Sequence, residues 1–156
     1  GNLVTKVDCL VIGGGMANTF LAARGVKVGK SLCEHDLAET AREIEKKAKA
    51  AGCAILLPTD GLMAKEFKAN PPHRAASVNE VADDEMILDA GPDSAKAVIE
   101  KLGSMKTLVW NGPLGVFEIP PFDKATVDAA KSVMIFTSAF TCDFLRTVPT
   151  SRNATA

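Results

Sequence analysis

Val7-Asp8-Cys9-Leu10-Val11-Ile12, followed at once by Gly13-Gly14-Gly15, decides how the rest of the chain is read. The apolar run is short, rich in β-branched residues and closed by glycine, which predicts a buried strand ending in a tight turn. The next segment, Met16 to Arg24, favours helix, and Gly25 supplies a stop. The same rhythm repeats downstream. Asp36 to Ala51 reads as a helix with Asp36 as its cap, Glu39 at the capping-box position and Gly52 beyond its end. Leu37, Ala41, Ile44 and Ala48 form its apolar stripe, and the charged residues between them form a solvated face. Cys53 to Leu57 predicts a second buried strand. Gly61 to Phe67 fits a strand or a short helix, and Asn70 to His73 a loop. Met86 to Asp89 predicts a strand, Asp93 or Ser94 to Leu102 a helix, Thr107 to Trp110 a strand, and Asp123 to about Lys131 a last helix. Strands alternating with helices predict a three-layer α/β/α domain around a mostly parallel, Rossmann-like sheet. Ligands of such sheets bind at the carboxyl ends of the strands.

Composition narrows the classes of function. The 156 residues are 47% hydrophobic and 24% charged, which excludes wholesale disorder. Eighteen Lys and Arg against 19 Asp and Glu leave a net charge of −1, so there is no electrostatic case for nucleic acid or an acidic membrane surface. No apolar stretch reaches the ~20 residues of a membrane span, and no secretory signal pattern is present. Cys9, Cys33, Cys53 and Cys142 have no CxxC spacing and no histidine at zinc-ligand distance in sequence. Unpaired thiols favour a reducing compartment, the cytoplasm.

Three loops after strands are rich in glycine. Gly13-Gly14-Gly15 opens a helix, so its backbone N–H groups are placed either for an anion or a flat ring, or simply for a tight turn. A dinucleotide fingerprint requires a third glycine where Asn18 stands. Gly25 to Ser31 (GVKVGKS) has three residues between its glycines where a Walker A loop has four, and it follows a helix, which excludes a P-loop. Trp110 to Glu118 (WNGPLGVFE) carries two glycines and a proline at a strand end. Val116 and Phe117 offer apolar contact to a base, and Glu118 offers a carboxylate to ribose hydroxyls. The same stretch also fits a purely structural turn with Phe117 in the core. His35 and His73 accompany no recognisable nucleophile, so no catalytic triad is indicated.

Gly13 to Phe20 (GGGMANTF), Gly29-Lys30-Ser31-Leu32, Leu88 to Pro92 (LDAGP) and Trp110 to Glu118, continued by Phe117 to Lys124 (FEIPPFDK), together resemble phosphoglycerate kinase, in that family's order and at about its spacing. The resemblance covers about residues 2–131 and lies within the family's C-terminal, nucleotide-binding domain. It implies phosphoryl transfer between 1,3-bisphosphoglycerate and ADP, giving 3-phosphoglycerate and ATP, with Mg-ATP and Mg-ADP as the nucleotide forms. It implies a cytoplasmic glycolytic enzyme, monomeric in the family. Carried over by motif, Gly14 and Gly15 line the base and ribose region, and Leu32 and Gly91 help form the adenine pocket. Asn111, Gly112, Leu114 and Phe117 shape the loop around base, ribose and phosphates, and Glu118 holds the ribose. No catalytic residue and no metal ligand is assigned to this chain.

The departures from the pattern set further expectations. The family's GGAKVSDK-like lysine segment is expected to precede Gly1, and its GGGDT-like phosphate and metal loop has no match after Lys131. The N-terminal domain that binds 3-phosphoglycerate has no counterpart. Phosphoryl transfer depends on cations that neutralise the transferred group. The expectation is therefore a partial nucleotide domain over residues 1–131, inactive alone, binding nucleotide weakly and requiring no cofactor. The alternatives are a folded remnant with no useful ligand, associating through an uncovered sheet edge, and, disfavoured by Asn18, a dehydrogenase domain. Residues 132–156 read either as a shifted frame or as a genuine divergent terminus whose apolar stretch, Val133 to Phe144, packs on the domain.

Overall fold

The computed structural model describes residues 2–138. The expected tail falls partly within that range and otherwise outside it. Strand β1 (Cys9–Val11) leads into helix α1 (Gly14–Ala23), then α2 (Ala38–Ala51), β2 (Ala54–Leu56), β3 (Asp60–Ala64), β4 (His73–Ser77), β5 (Met86–Ala90), α3 (Pro92–Leu102) and α4 (Lys124–Ser138). The α/β class and the Rossmann-like βα rhythm at the glycine turn agree with the sequence. Strands β1 and β2 pair in parallel, Cys9 opposite Ala54 and Val11 opposite Leu56. Helices α1 and α2 pack together over this pair. Ile12, Phe20, Ala41 and Leu57 form the core between them.

The second sheet departs from the mostly parallel expectation. Its order is β4-β3-β5, and both ladders are antiparallel, with a register irregularity between Leu62 and Met63. Among the described residues the parallel ladder is confined to β1 and β2. The loop of residues 65–72 joining β3 and β4 is too short for a crossover helix, so the chain returns antiparallel. The choice left open for Gly61 to Phe67 resolves to a strand. Beneath this sheet Phe122 is wholly buried with Ala64 and Leu88. The His73 and Phe122 rings meet edge to face, their centroids 5.8 Å apart. Helices α3 and α4 pack against each other, with Ala95 and Ala125 meeting Ala90 at the end of β5.

Two local expectations are corrected. Thr107 to Trp110 forms no strand, and Leu108, Val109 and Trp110 are all exposed. A strand exists only through a ladder, and this run pairs with no strand among the described residues. Asp36 does not cap α2. Residues His35–Leu37 form a separate 3-10 turn, the helix begins after Leu37 without a side-chain cap, and Glu39 instead pairs with Arg42 at 2.9 Å. The other end is as expected, with Gly52 left-handed at φ +73° closing the helix. Helix α4 continues to Ser138, beyond the Lys131 expected as its end.

Candidate functional site

A cavity of about 460 Å³ opens between the start of α1, the segment before Leu32, strand β5 and the loop after Trp110. Its size suits a small organic ligand. The turn Gly13-Gly14-Gly15 builds one wall. Gly13 is the cap of α1, and a Cβ there would stand 2.8 Å from Leu114 Cα. Gly14 takes φ +58°, where a side chain is strained, and its N–H donates to Leu114 O at 2.9 Å. A Cβ on Gly15 would stand 2.9 Å from Leu32 Cδ2. Backbone thus stands in van der Waals contact with both flanking walls.

Leu32 is 78% exposed although it is large and apolar. The backbone around it is nonetheless fixed. Lys30 N–H donates to Glu85 O at 2.8 Å, and Ile87 N–H donates to Ser31 Oγ at 2.8 Å. On the other side Asn18 Nδ2 donates to Leu32 O at 3.1 Å, and Glu34 N–H donates to Thr19 Oγ1. Arg74 fixes Glu85 in turn. Its Nε and Nη2 reach the two carboxylate oxygens at 2.9 and 2.7 Å. This bidentate pair, aided by the Ala82 N–H, holds the Glu85 carboxyl down at about 2.

Asp89 also lines the cavity. It is 2% exposed, with Oδ1 accepting from Ala90 N–H at 2.9 Å and Oδ2 from Ala125 N–H at 3.0 Å, at the first turn of α4. Burial pushes its carboxyl up to about 6, against the opposing pull of those two N–H groups. Gly115 lies directly on the Asp89 side chain, so the loop, β5 and α4 meet at one point.

Of the residues carried over by motif, Gly14, Gly15, Leu32 and Leu114 line this one cavity. Gly91 does not. It caps α3, donates from N–H to Asp60 O at 3.0 Å and packs on the Asp60 carboxylate, which receives Asp93 and Ser94 N–H. Asn111, Gly112, Phe117 and Glu118 are exposed and outside the lining. Gly112 takes φ +91°, and its carbonyl accepts from Trp110 Nε1 at 2.6 Å. Phe117 is therefore not a core residue. Its neighbours Leu114 and Val116 anchor the loop, Leu114 N–H to Thr126 Oγ1 at 3.0 Å and Val116 N–H to Leu88 O at 2.8 Å. Asn18, Lys30 and Asp89 line the cavity and were not singled out for it from the sequence. For Asp89 a carboxylate at a strand's end, just before Gly-Pro, was the available sign.

The phosphoglycerate kinase family model matches residues 1–142. The chain belongs to the phosphoglycerate kinase family. The match extends past Lys131, the expected end of the resemblance. A phosphoglycerate kinase of Xanthobacter autotrophicus is 69% identical over 133 residues, covering 85% of this chain and 34% of that protein. One of Azorhizobium caulinodans is 63% identical over 139 residues, covering 89% of this chain and 35% of that protein. The chain thus spans about a third of the length of these relatives. The solved phosphoglycerate kinase of Coxiella burnetii superimposes with a TM-score of 0.82 at 34% identity, over 90% of this chain and 40% of that one. That of Pyrococcus horikoshii superimposes at 0.67 and 26% identity, over 81% and 32%. No helix among the described residues is long and apolar enough to cross a membrane.

Proposed function

We propose that this chain carries the nucleoside-binding face of a cytoplasmic, glycolytic phosphoglycerate kinase, the enzyme that exchanges a phosphoryl group between 1,3-bisphosphoglycerate and ADP. The observation that carries the reading is the meeting of Gly14, Gly15, Leu32 and Leu114, brought from three separate motifs, around one cavity. A nucleoside needs what these residues offer: backbone close enough to stack under a flat ring, apolar side chains above it, and N–H groups at a helix start. In this reading Leu32 and Leu114 contact the base, and Gly14 and Gly15 allow its close approach. Phe117 and Glu118, exposed and outside the lining, would meet the sugar, with the Glu118 carboxylate accepting from ribose hydroxyls. Asn111 and Gly112 set the loop's shape, and Gly91 acts through its packing on Asp60 rather than by contact.

The phosphate and metal groups of the reaction are assigned to none of these residues. Magnesium would neutralise phosphate charge in the family's reaction. In the resemblance, the residues that meet it lie in a GGGDT-like loop not found in these 156 residues. A polypeptide of this sequence alone therefore binds ADP and ATP weakly and nearly independently of magnesium, and transfers no phosphoryl group. Calorimetric titration of both nucleotides, with and without Mg²⁺, tests this. Saturable binding of similar strength in all four titrations is expected. Tight binding that appears only with Mg²⁺, or phosphoryl transfer to ADP by the chain alone, would overturn it.

A further inference from the structure

Asn18 occupies the position at which a dinucleotide turn has its third glycine, and it is 3% exposed. A buried amide carries two donors and an acceptor, and each normally finds a partner. Its Nδ2 donates to Leu32 O at 3.1 Å, which also settles which end of the amide is nitrogen, since a carbonyl accepts only from a donor. Its Oδ1 receives no hydrogen bond from any described residue. Yet no buried side-chain nitrogen or oxygen among the described residues lacks a partner. Oδ1 is therefore not sealed off. Asn18 is among the residues that line the cavity.

The other polar groups there do not duplicate it. Both Asp89 oxygens already accept backbone N–H groups, and Lys30 is a cation. Among the side chains that line the cavity, Asn18 Oδ1 is thus a neutral acceptor with no hydrogen bond from a described residue, held by the bond to Leu32 O. Such an acceptor discriminates by hydrogen-bonding chemistry, because a ligand without a donor leaves it unpaired.

We propose that Asn18 reads the base: its Oδ1 accepts a hydrogen bond from the exocyclic amino group of an aminopurine seated against Leu32 and Leu114. This rests on the nucleoside reading of the cavity and adds a specificity-determining residue to it. Leu32, the wall, and Asn18, the reader, are coupled by one hydrogen bond, so wall and acceptor keep a fixed separation.

The test is a pair of titrations of the 156-residue chain with adenosine and with purine riboside, which has hydrogen in place of the 6-amino group. Adenosine should bind about fivefold to tenfold more tightly, the worth of one net hydrogen bond. In Asn18→Ala both affinities fall, because Leu32 loses its anchor, and their ratio falls to about one. A second readout needs no substitution: the Asn18 side-chain NH₂ resonances should move on adding adenosine and stay nearly still with purine riboside. Equal binding of the two nucleosides to the unaltered chain, or a ratio that survives in Asn18→Ala, would overturn the inference while leaving the cavity a nucleoside site. Failure of either nucleoside to bind would overturn both.

Discussion

Gly13–Gly15 and Asn111–Glu118 are both glycine-rich turns, and the structure uses glycine differently in each. In the first, Gly13 and Gly15 are required by what stands next to them: a Cβ at Gly13 would meet Leu114 Cα at 2.8 Å, and one at Gly15 would meet Leu32. In the second, Gly112 is required by its backbone, at φ +91°, while nothing lies within 4 Å of a Cβ placed there. A turn packed on both sides sets the dimensions of a cavity. The part of a turn that stands open to solvent, as at Gly112, sets only the direction of its own chain. The cavity therefore depends on the first turn, and on the second through its packed residues, Leu114, Gly115 and Val116.

Substitution separates the two. Gly13→Ala forces backbone apart at the Leu114 contact and should cost about 1–3 kcal/mol of stability in denaturant unfolding, with nucleoside binding weakened as the wall shifts. Gly112→Ala meets no neighbour and should cost only its dihedral strain, about 1 kcal/mol, leaving nucleoside affinity unchanged. The reverse order would break the contrast. Glu118→Ala, at the rim of the second turn, should weaken adenosine binding by about three- to tenfold if the carboxylate holds the ribose. It should leave the ratio of adenosine to purine riboside untouched, because both carry the same sugar.

A smaller effect sharpens a second contrast, between the carboxylates at either end of β5. Glu85 is held at about 2 by Arg74, and Asp89 is raised to about 6 by burial. Glu85 titrates lower in the folded chain than its ordinary 4.5, so it favours folding above that pH and loses the contribution as pH falls toward 2. Asp89 titrates higher than its ordinary 3.8, so its contribution is complete below that pH and is lost as pH rises through 6. Carboxyl carbon NMR should show midpoints near these two values. Arg74→Ala should raise the Glu85 midpoint toward the ordinary range and leave Asp89 in place. A shift of both would mean that the two ends of β5 are not electrostatically separate.

Much of this architecture was legible in the sequence. The runs that end in glycine, at Val7–Gly15 and Asp36–Gly52, mark β1, α1 and α2 because local chemistry decides where such elements stop. Thr107–Trp110 was misread because its β-branched, apolar residues state a preference, whereas a strand requires a neighbour. Strand β4 (HRAAS) went unread because two alanines and a half-polar face give no period-two signal. Of the residues that line the cavity, Gly14, Gly15, Leu32 and Leu114 were singled out by resemblance. Asn18 and Asp89 were not, because each acts on a partner distant in sequence: Leu32 lies 14 residues from Asn18, and Ala125 lies 36 from Asp89. Sequence patterns report local preference well and such long-range pairs hardly at all.

The central claim is that the cavity beside the glycine turn receives a nucleoside. Titrating ADP into the ¹⁵N-labelled chain and following backbone amide resonances tests it most directly. Saturable shifts concentrated at Gly14, Gly15, Leu32 and Leu114, similar with and without Mg²⁺, are the predicted result. Resonances at those four residues that stay fixed while ADP is added to millimolar concentration would contradict it.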